Sequence, residues 1–360
     1  MHRLGPTESG IRRSTIGSMR ILLGLCALLL VACSGPASES MSSTTSTTPA
    51  PSTSGSTTAS SSNYDPYAGT LPATDPVGEV LTGSITTPDG RVRTYRLYVP
   101  TAAEAGGRLP LLIALHGGLG WGAQFATNSG FDGLAEANRF IVVYPDGTNN
   151  RPGDTKLLTW NGGLCCRPAA DQQVDDIGFL RALIDRLEAE LPVDQSRVLA
   201  AGHSNGAILA YRLACELSDQ ILAIGVQSGV IGVPCHPSQP VSVFHLHGLA
   251  DANIPIDGGR GSGPSGVEFP SPRAAASDVA ALNGCQAGPT EQSDSSNADV
   301  LSQLWSQCTG GSIVRFVTVA GASHAWMGHP ASAQNLVGSP YMELDASRAI
   351  WSFLAGVATR

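Results

Sequence analysis

Lysine is almost missing from this 360-residue chain: Lys156 is the single example, and Lys, Arg, Asp and Glu together make up only 14% of it. A formal charge of −8 with so few basic groups excludes a phosphate-reading surface, so no nucleic-acid partner is expected. Long apolar runs are scarce too. The stretch Ile21 to Ala32 has 12 residues, short of the about 20 that a membrane-spanning helix requires. Neither H-E-x-x-H nor C-x-x-C spacing occurs, so neither a metal nor a cofactor is expected. Aromatic residues are 6% of the chain, which makes each tryptophan in a loop worth placing.

What is present begins with a leader. Arg3, Arg12, Arg13 and Arg20 precede the apolar stretch, and Leu30-Val31-Ala32-Cys33 looks like a bacterial lipobox. Residues 1–32 therefore read as a lipoprotein signal peptide, with Cys33 as the lipidated first residue of the mature chain. From Pro36 to Asn63, 18 of 28 residues are Ser or Thr with no apolar period, so residues 33–72 read as a flexible tether reaching roughly 30 Å. The expected location is extracytoplasmic, on a membrane through the lipid, or released to the medium; no obligate protein partner is implied. Beyond Cys26 and Cys33, the cysteines Cys165, Cys166, Cys215, Cys235, Cys285 and Cys308 suggest three disulfides, with 15 possible connectivities.

Residues 73–360 carry the globular pattern. Val80 to Thr86 and Val92 to Val99 flank Pro88-Asp89-Gly90, a hairpin signal. Leu109 to Leu115, Phe140 to Tyr144, Val198 to Ala201, Ile221 to Val226, Val241 to Leu246 and Ile313 to Val319 are apolar without alternation, as strands covered on both faces are. Phe179, Leu180, Leu183, Ile184 and Leu187 repeat at helical spacing, and Asp345 can cap a terminal helix over Ala346 to Leu354. Strands alternating with helices predict an α/β fold, a mostly parallel sheet flanked by helices.

Gly202-His203-Ser204-Asn205-Gly206 lies between a strand signal and a helix signal, the context of a G-x-S-x-G nucleophile. Asp251 and His324 each follow an apolar run, and the order Ser, Asp, His is the one expected of this fold. Ser204 would attack an acyl carbon, His324 would carry its proton, and Asp251 would orient the imidazole. His329 is the main rival for the base, while Asp146, Asp175 and Asp176 precede Ser204 and break the order. His203 reads as a structural or pocket-edge residue, and one of His245 and His247 as buried. For the oxyanion hole, the amide of Asn205 and that of Gly118 or Leu119, in the glycine-rich turn after Leu115, are expected donors. Trp121, Trp160 and Trp326 are candidates for a substrate wall.

His116-Gly117-Gly118, Tyr144-Pro145-Asp146-Gly147, Trp160-Asn161-Gly162-Gly163 with Cys165-Cys166, Val174-Asp175-Asp176-Ile177-Gly178-Phe179, the Ser204 pentapeptide, His247-Gly248 with Asp251 and Ile254-Pro255, and His324 with Trp326 occur in that order. Together they resemble the polyhydroxybutyrate depolymerase and feruloyl esterase group of α/β-hydrolases, including its secreted actinobacterial lipoprotein members. The resemblance implies a serine esterase with Ser204, Asp251 and His324 as triad, Asp175 and Asp176 in supporting roles, and a Cys285–Cys308 disulfide. The expected substrate is a 3-hydroxybutyrate-type ester or oligomer, with a feruloyl or acetyl-xylan-type ester as the alternative and a non-catalytic surface lipoprotein behind both.

Overall fold

The computed structural model describes residues 12–13, 73–151, 153–331 and 333–357. The segment expected as a leader, Cys33 and the Ser/Thr-rich segment expected as a tether lie outside the described residues, apart from Arg12 and Arg13. Ten strands from residue 79 onward form one sheet: β1 (Glu79–Thr86), β2 (Val92–Val99), β3 (Leu109–Leu115), β4 (Ile141–Pro145), β5 (Val193–His203), β6 (Ile221–Gln227), β7 (Ser242–Gly248), β8 (Ala287–Ser293), β9 (Val300–Ser306) and β10 (Val314–Val319). Their spatial order is β1-β2-β4-β3-β5-β6-β7-β10-β9-β8, and Arg12–Arg13 pair with Leu81 and Thr82 of β1. The six strands from β4 to β10 are parallel, whereas both edges turn back antiparallel. This is the expected α/β-hydrolase architecture.

Among the described residues, seven α-helices accompany the sheet: α1 (Gly122–Ser129), α2 (Phe131–Asn138), α3 (Asp176–Glu190), α4 (Asn205–Glu216), α5 (Pro272–Leu282), α6 (Gln334–Val337) and α7 (Ala346–Gly356). Every residue of β3, β6 and β7 is buried, which explains why those segments are apolar without alternation. Val243 shares a core with the apolar faces of α3, α4 and α5. Its neighbour Phe244 points to the opposite face and meets Phe353 of α7, where Trp351 stacks on Phe140 at 3.6 Å. Helix starts obey local chemistry: Asp175 accepts from the Gly178 amide, Ser271 from Arg273, and Asp345 from Arg348.

Strands β8 and β9 and helices α1, α2, α5 and α6 were not read from the sequence pattern. Strand β8 carries Gly, Pro, Thr, Glu, Gln and Ser on an exposed edge and has no apolar face to signal it. It exists because β9 offers a hydrogen-bonding partner, itself docked antiparallel on β10.

The cysteines pair as Cys165–Cys166, Cys215–Cys235 and Cys285–Cys308. The last agrees with the family resemblance, and the first two fill in what spacing left open. Separations of 20 and 23 residues each remove loop entropy from the unfolded chain, worth about 3 kcal/mol apiece. Three disulfides fit an oxidising, extracytoplasmic environment.

The expectation of membrane attachment finds no support in the described residues, and Cys33 lies outside them. Among the described residues no helix is long and apolar enough to cross a membrane, and the 12-residue apolar stretch at 21–32 is too short for one.

Candidate active site

Strand β5 ends at His203, and the chain turns into α4 through Ser204, whose backbone has φ 55° and ψ −120°. A side-chain-bearing residue in this region is strained by about 1–3 kcal/mol, and only dense surroundings hold it there. Those surroundings are glycine-dependent: a Cβ on Gly202 would strike the Gly206 carbonyl, and one on Gly206 would strike the Leu115 carbonyl at the end of β3. The Ser204 amide donates to the Gln227 carbonyl at 3.0 Å, which ties the turn to β6.

Into this corner the loops after β7 and β10 bring two more groups. His324 Nδ1 lies 2.8 Å from Asp251 Oδ2, and His324 Nε2 lies 2.8 Å from Ser204 Oγ. With a carboxylate accepting at Nδ1, the neutral ring presents a lone pair at Nε2, and the Ser204 hydroxyl donates to it. Asp251 Oδ1 accepts from the amides of Asn253 and Ile254, both at 2.9 Å. Burial opposes charge on Asp251, but the facing His324, its hydrogen bond, His247 and the Ile254 amide outweigh it and hold the carboxyl well below the usual range. Such a line of hydroxyl, imidazole and carboxylate can move a proton off the serine as its oxygen attacks a carbonyl.

The other sequence candidates fall into place. His329 faces Asp345 at 3.2 Å and not Ser204. His203 Nε2 meets the His324 carbonyl at 2.7 Å, with its ring 5.6 Å from that of Trp326, so it braces the base loop. Asp146 accepts from Thr94 and the Gly122 amide, and Asp175 caps α3.

Three expectations need correction. The Leu119 amide donates to the Leu158 carbonyl at 2.8 Å, because a positive φ of 66° turns Leu119 toward that bridge, so it cannot serve an oxyanion. Trp160 is fully buried: its indole N–H donates to the His116 carbonyl at 3.0 Å, and its backbone N–H and C=O are gripped by the Asn205 side-chain amide at 2.7 and 3.0 Å. Trp326 is 5% exposed, donates to Ser347 Oγ and meets Phe125 and Phe131 edge-on. Both rings build the floor beneath the site and line no substrate wall. Trp121 alone of the three is only half-buried, with the Lys156 ammonium 5.6 Å above its ring.

A family described as esterase PHB depolymerase matches residues 93–248. Feruloyl esterase B of Piromyces equi is 28% identical over 224 residues, which cover 60% of this chain and 39% of that protein. NocK of Nocardia uniformis subsp. tsuyamanensis, provisionally named an esterase, is 29% identical across 74% of this chain and 80% of its own length. A protein of Aspergillus terreus, provisionally named feruloyl esterase C, is 27% identical across 73% of this chain and 84% of itself. This is an α/β-hydrolase-fold chain related to the feruloyl esterases and PHB depolymerases. It spans 39% of the length of the Piromyces relative.

In this esterase relative, two supporting groups escaped the sequence reading. Gln227, at the tip of an otherwise apolar strand, donates to the Ala325 carbonyl at 2.8 Å and accepts from the Met327 amide at 3.1 Å. Nothing in its surroundings along the chain marks it out. Arg93 is buried with its Nη2 2.6 Å from Asp176 Oδ1 and 3.1 Å from the Asp146 carbonyl. Asp176 Oδ2 accepts from the Asn161 amide, so this pair anchors the Trp160 loop. Burial pushes the Asp176 carboxyl up against the pull of Arg93, while Arg93 Nε and Nη1 have no hydrogen-bond partner among the described residues. Asp176→Asn is therefore expected to cost about 3–5 kcal/mol by stranding a buried cation. Urea unfolding checks this, and a loss below about 1 kcal/mol would show that the pair does not hold the loop.

Proposed function

We propose that this chain is a serine carboxylester hydrolase that works outside the cytoplasm through an acyl-enzyme. The observation that carries this reading is the unbroken line from Ser204 Oγ through His324 to Asp251 at 2.8 Å on each side, seated on a strained elbow. Ser204 attacks the ester carbonyl as His324 Nε2 takes its proton, and the resulting imidazolium passes that proton to the departing alcohol. Water then enters by the same route in reverse and releases the acid. The Asn205 amide, in the first turn of α4 where helix N–H groups have no partner within the helix, donates to the developing oxyanion. The second donor is the Gly118 amide, whose residue stands against Asn205: a Cβ there would lie 3.5 Å from the Asn205 Cβ.

As substrate we infer a feruloyl or acetyl ester in preference to a 3-hydroxybutyrate oligomer. The names of the Piromyces and Aspergillus relatives support the first class. The description of the matching family keeps the polyester in view. Trp121 is the ring available to stack on a ferulate. Side-by-side hydrolysis of methyl ferulate, p-nitrophenyl acetate and a 3-hydroxybutyrate oligomer by the full chain tests this, with the highest kcat/KM expected on one of the first two. Trp121→Ala is expected to lower kcat/KM for methyl ferulate by roughly fivefold, about 1 kcal/mol of ring stacking, and to spare p-nitrophenyl acetate. A preference for the oligomer would overturn the substrate inference and leave the hydrolase reading standing.

A further inference from the structure

Below the catalytic carboxylate, the interior of this domain holds three polar rings that proton transfer at Ser204 does not use. Tyr211 of α4 and His245 and His247 of β7 are fully buried. His245 and His247 are two residues apart on a strand, so both face the same side of the sheet. Tyr211 Oη lies 2.8 Å from His245 Nδ1, His245 Nε2 lies 3.2 Å from His247 Nδ1, and His247 Nε2 lies 3.0 Å from the Ile254 carbonyl and 3.6 Å from Asp251 Oδ2.

The direction of every bond follows from what stands at the end. His247 Nε2 faces two oxygens that can only accept, so it carries the hydrogen. A neutral ring then leaves Nδ1 as an acceptor, His245 Nε2 must donate to it, and His245 Nδ1 is left to accept from the Tyr211 hydroxyl. Deep burial keeps both rings neutral. Apolar side chains would fill this volume at lower desolvation cost, so a chain of polar groups satisfied in a single direction asks for a use.

We propose that His247 is a positioning residue for Asp251: its Nε2–H donates to the Ile254 carbonyl and so holds the turn whose Ile254 amide donates to Asp251 Oδ1, its ring edge faces Asp251 Oδ2 at 3.6 Å, and the Tyr211–His245 pair fixes its tautomer. Asp251 Oδ1 then accepts from two backbone amides and Oδ2 from His324, with His247 Nε2 3.6 Å from Oδ2 as a longer electrostatic contact. This inference rests on the triad proposed above.

The test is a pair of isosteres in the full chain. In His247→Gln the amide nitrogen reaches the place of Nε2 and keeps the donor toward Ile254 and Asp251. In His247→Asn the shorter amide reaches only the place of Nδ1 and loses that donor. Per folded molecule, His247→Gln is expected to keep kcat within about threefold of the parent chain, while His247→Asn loses on the order of 100-fold in kcat with little change in KM, as a misplaced catalytic group does. Equal kcat in the two variants, or a loss that falls on KM, would overturn the positioning role. Nitrogen NMR of the unsubstituted protein needs no variant to fold: Nε2-protonated His247 and His245 are expected, and the opposite tautomer at His247 would also overturn it. If the parent chain neither turns over an ester nor labels with a fluorophosphonate, the hydrolase reading itself falls, and the role of His247 with it.

Discussion

Ser204→Ala lowers kcat/KM by at least about 10⁴-fold and leaves the folded structure in place, since the hydroxyl is the only group that can form the acyl-enzyme in this arrangement. The residual rate comes from oxyanion donors and binding alone. Stability discriminates a catalytic loss from a folding loss. Alanine keeps the Cβ at φ 55°, so the elbow strain persists and the melting temperature of Ser204→Ala stays near that of the parent. Glycine removes the clash that this backbone imposes on any side chain, and Ser204→Gly should melt no lower than Ser204→Ala. Kinetics on p-nitrophenyl acetate together with thermal unfolding of both variants check the pair. Unchanged kcat/KM in Ser204→Ala would remove the nucleophile assignment outright.

The second large effect is acid instability. Burial is the main cause that drives His116 and His247 down to about 4 and His245 well below the ordinary 6.5. Each ring is neutral in the fold and takes up a proton on unfolding once the pH drops below 6.5, so the unfolded state binds more protons than the native state. With the unfolded chain the better proton acceptor, stability is full above pH 6.5 and declines as the pH falls toward about 4. Three such groups give a slope of about 4 kcal/mol per pH unit through most of that window. Against a typical stability of about 5–15 kcal/mol, the domain is expected to unfold near pH 5 or just below. Asp251 acts in the same sense lower down: its depressed folded pKa contributes stability above the ordinary 3.8 that is lost as the pH falls below it. The urea midpoint followed from pH 7.5 to 5 measures the slope, and a flat profile across that range would show that the buried rings are not excluded from protonation.

The contrast between what the residues disclosed and what they concealed has a physical pattern. The proposed triad of Ser204, Asp251 and His324 could be picked out because a parallel sheet delivers the ends of its strands to one edge and each residue follows an apolar run, and the structure brings the three side chains within hydrogen-bond distance. The Cys285–Cys308 pair came from family resemblance, whereas Cys165–Cys166 joins neighbours that spacing gives no reason to join. Loop residues were misread where their fate depends on distant partners. Trp160 looked like a cleft aromatic until His116 and Asn205 claimed its N–H and backbone groups from 44 and 45 residues away. Leu119 looked like an oxyanion donor until its amide was found bonded to Leu158. Arg93 and Asp176, 83 residues apart, form a buried pair that no local pattern announces.

Gln227 gives the site a mechanical property. Its carbonyl holds the Ser204 amide, and its side chain holds both Ala325 and Met327, the residues that flank Trp326 directly after His324. The proposed nucleophile and base, 120 residues apart in the chain, are thus bolted to one hub. Thermal displacement of the hub carries both in the same direction, so the gap between Ser204 Oγ and His324 Nε2 is insulated from breathing of the surrounding loops. The three residues of the proposed triad arrive from the ends of three different strands, yet two of them answer to one hub.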